Sequence, residues 1–429
     1  MDAAVLRPAV NGVRQQVVYG NGKSAGARLP WLMWFILISL IATFFDQETP
    51  LGRNLKGVLL FATIGLSLAV IVAGWRRVCF PISIWLPWMA LTAAYCAVAV
   101  AEEEWEWGQA ALQRTLMMWA PPLVGAAVST FPIDERGAAR FIRICKIGVF
   151  ILFGLLIFRL GLPRFGRPWW VGSHQMTAAL LAALFAVLYA HGETKAMLYW
   201  GAMMLICVLG VGRGTTAAVA STLPFTLAPM RLTKRALLGL AMAILGVAVF
   251  YYEPFQQEWF RSGHGELRDL RPDNPDIDDS GRLGTWEVMM PEIRKRPWLG
   301  NGANANEKAL FQWLGFRGQP HNEYVRLVYD YGVVGTAVFF SAVVVQCAHT
   351  ALRARRATPA PRAALLAGAS AFVPMLVIMV GDNIVIYSSF FGNLHFLMLG
   401  LGYASAERAN GLGHARPFKR QHFGPCEST

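Results

Sequence analysis

EPFQQEWFRSGHGELRDLRPDNPDIDDSGRLGTWEVMMPEIRKRPWLGNGANANEKALFQWLGFRGQP, residues 253–320, is the one long polar stretch in a chain otherwise made of apolar runs. It leads directly into HNEYVRLVYDYGVVG, residues 321–335, where a proline and a histidine stand at the mouth of the next apolar helix. Around this stretch the apolar runs cover 31–45, 55–73, 81–100, 115–131, 141–160, 172–190, 196–210, 214–230, 236–252, 322–349, 363–381 and 388–405. Runs of this order suit a helix crossing about 30 Å of hydrocarbon. The expectation is an all-α polytopic membrane protein with about 12 transmembrane helices and one large outer loop containing short helices.

Composition supports that class. Hydrophobic residues make up 55% of the chain and charged residues 15%, a balance that argues against soluble domains. Tryptophans Trp31, Trp34, Trp85, Trp88, Trp105, Trp107, Trp169, Trp170 and Trp259 fall near run ends, as an interfacial aromatic belt requires. The net charge of +13 would point to nucleic acid in a soluble protein. Here the cations sit in short connections between runs, so no nucleic-acid partner is expected. Cys79, Cys96, Cys145, Cys207, Cys347 and Cys426 all lie outside the loop, which excludes a disulfide framework or a zinc spacing there.

Charge also orients the chain. Arg7, Arg14, Lys23 and Arg28 precede the first run. Alternate connections then carry Arg76 and Arg77; Arg136, Arg140, Arg143 and Lys146; Lys195; Arg231, Lys234 and Arg235; and Arg353, Arg355, Arg356 and Arg362. With twelve crossings these all share one side, which the positive-inside bias makes cytoplasmic. The expected division is a cytoplasmic tail over 1–30, helices over 31–252, a periplasmic loop over 253–320, three more helices over 321–405 and a cytoplasmic tail over 406–429. The basic first 28 residues lack an apolar core and read as a tail, not a signal peptide. The other face receives EEEWEW (102–107), RFGRPWWVGSHQ (164–175), Gly210 to Gly214, the loop, and GDN (381–383).

Arginines on that outer face run against the bias, so each needs a reason. Arg213, in LGVGRGTTAA, sits between two apolar runs with glycines on both sides. An ion at that depth needs an anion or a water-filled cavity, and small neighbours let a ligand come close. The alternatives are a headgroup anchor or a pair with Asp382. Arg282 opens a helical pattern with Trp286, Met289 or Met290, and Ile293, read as an amphipathic helix on the membrane surface. PDNPDIDDS, residues 272–280, precedes it as an acidic linker ending in a capping serine. Arg164 and Arg167, beside Trp169 and Trp170, read as headgroup anchors, and His174 as a substrate contact or a helix-start polar residue.

His321 follows Pro320 at the positive end of a helix dipole, which favours the neutral imidazole a general base needs. Asn322 lies at the same interface and Arg326 about one turn deeper. No Walker loop, GxSxG elbow or metal-ligand spacing is present, and the acidic PDIDDS (275–280) reads as a solvated linker.

On these residues the chain resembles the O-antigen ligases and polymerases of bacterial envelope assembly. The matching features are VGRG (211–214), GRLGTW (281–286), RPWLGNG (296–302), PHNEYVRLVYDYGVVG (320–335) and, with an altered asparagine pattern, GSHQMTAA (172–179). The resemblance covers roughly residues 150–400. It implies a glycosyltransferase C-like fold in the bacterial inner membrane and a metal-independent, inverting transfer on the periplasmic face, with no cofactor. The implied donor is a glycan on undecaprenyl diphosphate and the implied acceptor a sugar hydroxyl of lipid A-core. Arg213 and Arg282 would hold the diphosphate and His321 would take the acceptor's proton. Arg164, Arg167, His174, Trp286, Asn322, Arg326 and Asp382 would contact substrate. An O-antigen or exopolysaccharide polymerase is the neighbouring alternative. A transporter of anionic lipid or glycan is the alternative of another class, and the lack of an internal repeat counts against it.

Overall fold

The computed structural model describes residues 29–40, 50–161, 174–271, 273–279, 281–315, 317–387 and 391–414. In order, its α-helices are α1 (Trp31–Ser39), α2 (Pro50–Ala73), α3 (Leu86–Glu102), α4 (Trp105–Ser129), α5 (Glu135–Gly161), α6 (His174–Ala190), α7 (Ala196–Leu209) and α8 (Arg213–Phe225). Then follow α9 (Leu232–Phe250), α10 (Glu253–Trp259), α11 (Arg282–Lys295), α12 (Ala305–Leu314), α13 (Glu323–Ala354), α14 (Pro359–Ser370), α15 (Phe372–Ile378) and α16 (Asn393–His414). The protein is an all-helical membrane protein. Each of the twelve expected segments overlaps a helix. Length and composition qualify four stretches as spans: Leu55–Ala73, Leu232–Phe250, Glu323–Ala354 and Pro359–Ile378.

Sequence pattern decides which helices are central. α6 and α14 are apolar on every side, and both are buried along nearly their whole length. Small residues then let backbones meet: a Cβ on Gly400 of α16 would lie 2.4 Å from the Gly125 carbonyl oxygen of α4. Gly368 and Gly402 do the same work between α14 and α16, against Leu399 and Leu365. The apolar stretch of α9, by contrast, is 0% buried and faces outward.

The expected single helix over 322–349 is in fact broken. Gly332 takes φ 66° and ψ −174°, which splits α13 into Glu323–Tyr331 and Val333–Ala354. Only glycine reaches that conformation without strain. The break is filled by the turn that follows α11. Asn301 and Gly302 donate their N–H groups to the Tyr329 and Asp330 carbonyls at 2.9 Å, while Val333 N–H reaches the Pro297 carbonyl at 2.8 Å. The backbone groups freed by the break are thus satisfied by RPWLGNG, as a membrane-level break requires. The contact is backbone on backbone. A Cβ on Gly332 would lie 2.2 Å from the Trp298 oxygen, and one on Gly300 would lie 2.5 Å from the Gly332 nitrogen.

α11 packs one face on the protein and leaves the other open. Met289 is fully buried against Ala309, Leu310 and Tyr329 of α12 and α13, while Glu287, Met290 and Arg294 are exposed. The start of α11 differs from expectation: Gly281 holds the cap position, and the Asp279 carboxylate takes the Leu283 N–H at 2.6 Å. Ser280, expected to cap, lies outside the described residues.

Gly332→Ala should therefore cost more than about 2 kcal/mol, the combined penalty of a forbidden backbone region and a direct clash. The expected outcome is a clearly lower melting temperature of the detergent-solubilised protein. A wild-type melting curve would show that the break is not needed.

Candidate functional site

Five helix ends meet around one cleft of about 280 Å³. Its lining includes Gln175, Arg213, Thr215, Glu258, Arg282 and Asp382. These come from the start of α6, the start of α8, the end of α10, the start of α11 and the turn after α15.

The turn that delivers Arg213 is strained. Val211 is β-branched and sits at φ 54°, a left-handed conformation that such residues rarely adopt. Two of the neighbouring glycines make room for Gln175, whereas Gly214 lines the cleft with open space beside it. A Cβ on Gly210 would fall 2.1 Å from the Gln175 amide nitrogen, and one on Gly212 would fall 2.2 Å from its amide oxygen. Gln175 donates to the Gly210 carbonyl at 2.7 Å and accepts from the Thr215 hydroxyl at 3.2 Å, which clamps the turn.

Arg213 Nη1 donates to the carbonyls of Glu258 (2.6 Å) and Asp278 (3.0 Å), and its guanidinium stacks 4.9 Å over Trp259. The expected alternative of a pair with Asp382 is replaced by these loop contacts. Arg213 lies just before the expected 214–230 span, and burial followed by the nearby Arg282 charge pushes its pKa down, with Glu258, Asp278 and Asp279 opposing. Two like charges are thus held together. Arg282 Nε is buried with no hydrogen-bond partner. An unmet guanidinium N–H beside a second guanidinium is costly, and it is chemistry that an anion could satisfy.

Arg213 has a second role. It also lines an adjoining apolar groove of about 240 Å³ that runs along α7, α8 and α9 past Met204, Met242, Val249, Phe255 and Trp259. One arginine therefore marks the boundary between a polar cleft and an apolar channel.

His321 is the other strained residue, at φ 48°. Its ring is half-exposed, and Nδ1 lies 3.4 Å from Asp382 Oδ1. The same oxygen accepts from the Asn383 N–H (2.8 Å) and the Tyr387 hydroxyl (2.9 Å). A carboxylate at Nδ1 selects the tautomer with Nδ1 protonated and leaves Nε2 as a base, and such contacts often tighten only when substrate binds.

Other expected contacts have structural work. The Trp286 indole N–H donates to the Pro320 carbonyl at 2.7 Å, fixing the turn before His321. Asn322 caps α13, accepting from the Val325 N–H at 3.1 Å. Arg326 is 1% exposed and ion-paired with Glu323 and Asp330, away from the cleft. His174 begins α6, but its side chain, like all of Arg164 and Arg167, lies outside the described residues. Among the described residues no group of three or more His, Cys, Asp or Glu side chains comes together as a metal site. Sequence reading missed Gln175 as the clamp, Glu258 and Tyr387. A glutamine opening an apolar helix was a signal for the first. Tyr387 had none.

Residues 178–340 match the family model described as O-antigen ligase. The resemblance to the O-antigen ligase family holds. No curated protein matches the chain. The matched segment contains Arg213, Arg282 and His321, whereas Asp382 and Tyr387 follow it. The family segment thus supplies the arginines and the histidine, and the chain beyond it supplies the carboxylate that orients the histidine.

Trp286→Phe keeps the ring and removes the donor. Hydrogen exchange at the Glu323 amide, which bonds to the Met379 carbonyl, should accelerate roughly tenfold, the equivalent of one lost hydrogen bond of ~1.4 kcal/mol. Unchanged exchange would show that the indole does not hold this turn.

Proposed function

We propose that the protein is an O-antigen ligase: it moves a glycan from undecaprenyl diphosphate to a sugar hydroxyl of lipid A-core. In this reading the chain crosses the bacterial inner membrane twelve times, both termini are cytoplasmic, and the cleft opens to the periplasm. The observation that carries the proposal is the position of Arg213 between a polar cleft and an apolar groove. An amphiphile with a diphosphate head and a polyprenyl tail has that division of chemistry. Its head meets Arg213 and Arg282, and its tail lies along α8 and α9 with access from the bilayer.

The step itself is a single displacement. The acceptor hydroxyl oxygen attacks the anomeric carbon as His321 Nε2 takes its proton, and the bond from that carbon to the diphosphate oxygen breaks. Undecaprenyl diphosphate leaves as an anion, and inversion follows from attack opposite the leaving group. The two guanidiniums stabilise the charge that develops on the leaving oxygen, the role for which fixed donors in a partly desolvated site are most effective. Asp382 steadies the imidazolium.

His321→Ala should lower transfer by about 10²–10⁴-fold, the usual contribution of a positioned base, while the protein still inserts and melts normally. Full activity would remove the base role. Arg282→Lys keeps the charge but loses the fork, and should still cost transfer because the planar donor pair is lost. Lipopolysaccharide from a deletion strain separates the readings. Bare core with accumulated lipid-linked polymer supports the ligase. Core bearing a single repeat unit would replace it with a polymerase, and an unaltered glycan profile would replace it with a transporter.

A further inference from the structure

A second polar cleft lies apart from the one that holds the arginines. It measures about 410 Å³ and lies between the ends of α3 and α4 and the turn that fills the α13 break, with Tyr95, Glu102, Trp107, Arg296, Asn301 and Asn304 in its wall. It shares no lining residue with the Arg213 cleft or the apolar groove. We propose that this cleft is a binding subsite for an oligosaccharide chain, engaging sugars away from the bond being made. The proposal rests on the glycan-transfer reading above.

Charge balance is the first argument. Glu102 and Glu103 face Arg296 and Lys308 in the lining, and Lys308 is already ion-paired with Glu103. Two acids against two bases leave no excess, and here the opposite charges are interleaved, with no two cations set side by side as Arg213 and Arg282 are. A phosphate gains little here. A hydroxyl-rich ligand gains from both signs, since carboxylates accept from its hydroxyls and a guanidinium donates to its oxygens. Tyr95 and Trp107 add apolar ring surface of the kind a sugar face covers, and the volume falls within the roughly 300–1,000 Å³ range of ligand sites.

The second argument is an unmet polar atom. Asn304 lines the cleft, is 4% exposed, and sits at φ 59°, again left-handed. Its amide nitrogen donates to Glu307 at 3.2 Å, while its buried Oδ1 has no partner. Turning the amide over would only exchange which atom is unmet. A buried acceptor without a donor costs free energy that a ligand hydroxyl at this wall would recover.

Position is the third. Asn304 leads straight into α12, and Glu307 on that helix accepts from Gln319 at 3.1 Å, two residues before His321. The subsite is therefore linked through one short helix to the turn that carries His321.

Glu102→Gln and Arg296→Gln both alter exposed side chains and leave the Arg213 cleft untouched. Each should raise the KM for one glycan substrate about tenfold, the loss of one hydrogen bond to a charged group, with kcat little changed. A rise in acceptor KM assigns the subsite to the core oligosaccharide, and a rise in donor KM assigns it to the distal repeat units. Independently of turnover, lipid-free core oligosaccharide and lipid-free repeat-unit oligosaccharide titrated into the detergent-solubilised protein should show binding of one of them that His321→Ala keeps and Glu102→Gln weakens. If both KM values stay at wild type and neither oligosaccharide binds, the subsite proposal falls while the transfer reading stands. If His321→Ala retains full transfer yet the oligosaccharide still binds, the catalytic reading falls and the subsite stands.

Discussion

The structure depends on one backbone contact: Gly332, in the middle of α13, against the Trp298–Gly302 turn. A helix broken inside a membrane exposes donors and acceptors that no water can satisfy, so a break survives only if protein fills it. Here the filler belongs to the outer loop. α11 begins at Arg282 and ends just before that turn, while the short outer half of α13 begins two residues after His321. Locking the turn into the break therefore sets the distance between an arginine on one element and a histidine on another. Trp286 repeats the link nearer the site by holding the Pro320 carbonyl. The loop is bound to the membrane helices through its backbone, and it serves as one wall of a shared site.

The site itself is assembled against local preference. Arg213 and Arg282 repel each other, Val211 and His321 both occupy left-handed backbone, and Arg282 keeps a buried donor unmet. Each is locally unfavourable and has to be held by its surroundings. Gln175, the carbonyls of Glu258 and Asp278, and Asp382 hold the arrangement in place. Stability elsewhere, in the small-residue contacts of α4, α14 and α16, is what permits strain here.

Much of this was legible in the sequence. Apolar runs gave the helices because backbone satisfaction in lipid leaves few alternatives. Arg213 and Arg282 stood out because cations on the face expected to be outer run against the positive-inside bias, and both line the same cleft as Asp382. What was not legible depended on contacts distant in sequence. The glycines around Arg213 read as room for a ligand, yet Gly210 and Gly212 make room for Gln175, thirty-five residues or more upstream. An amphipathic pattern cannot reveal that the Trp286 indole finds a carbonyl 34 residues away. Periodicity likewise passed over Gly332, since a single glycine leaves an apolar pattern intact.

PHNEYVRLVYDYGVVG shows why a compact motif resists reading residue by residue. His321 does not line the cleft and reaches it through Asp382, which does. Asn322 closes the helix start, and Glu323 ties its N–H to Met379 at the end of α15. Arg326 binds Glu323 and Asp330 and reaches Met118 of α4, while Asp330 accepts from the backbone and side chain of Asn306 on α12 at 2.9 and 2.8 Å. A buried ion cluster adds little net stability over apolar packing, but losing one member leaves an uncompensated charge at about 3–5 kcal/mol. Such a cluster is costly to disturb, and it fastens the short half-helix to α4 and α12 in one orientation. A histidine with strained backbone needs that rigidity, because nothing in its own conformation holds it toward Asp382. The charged residues that follow His321 are therefore best understood as the mounting of the base, which is why they share its motif without sharing its site.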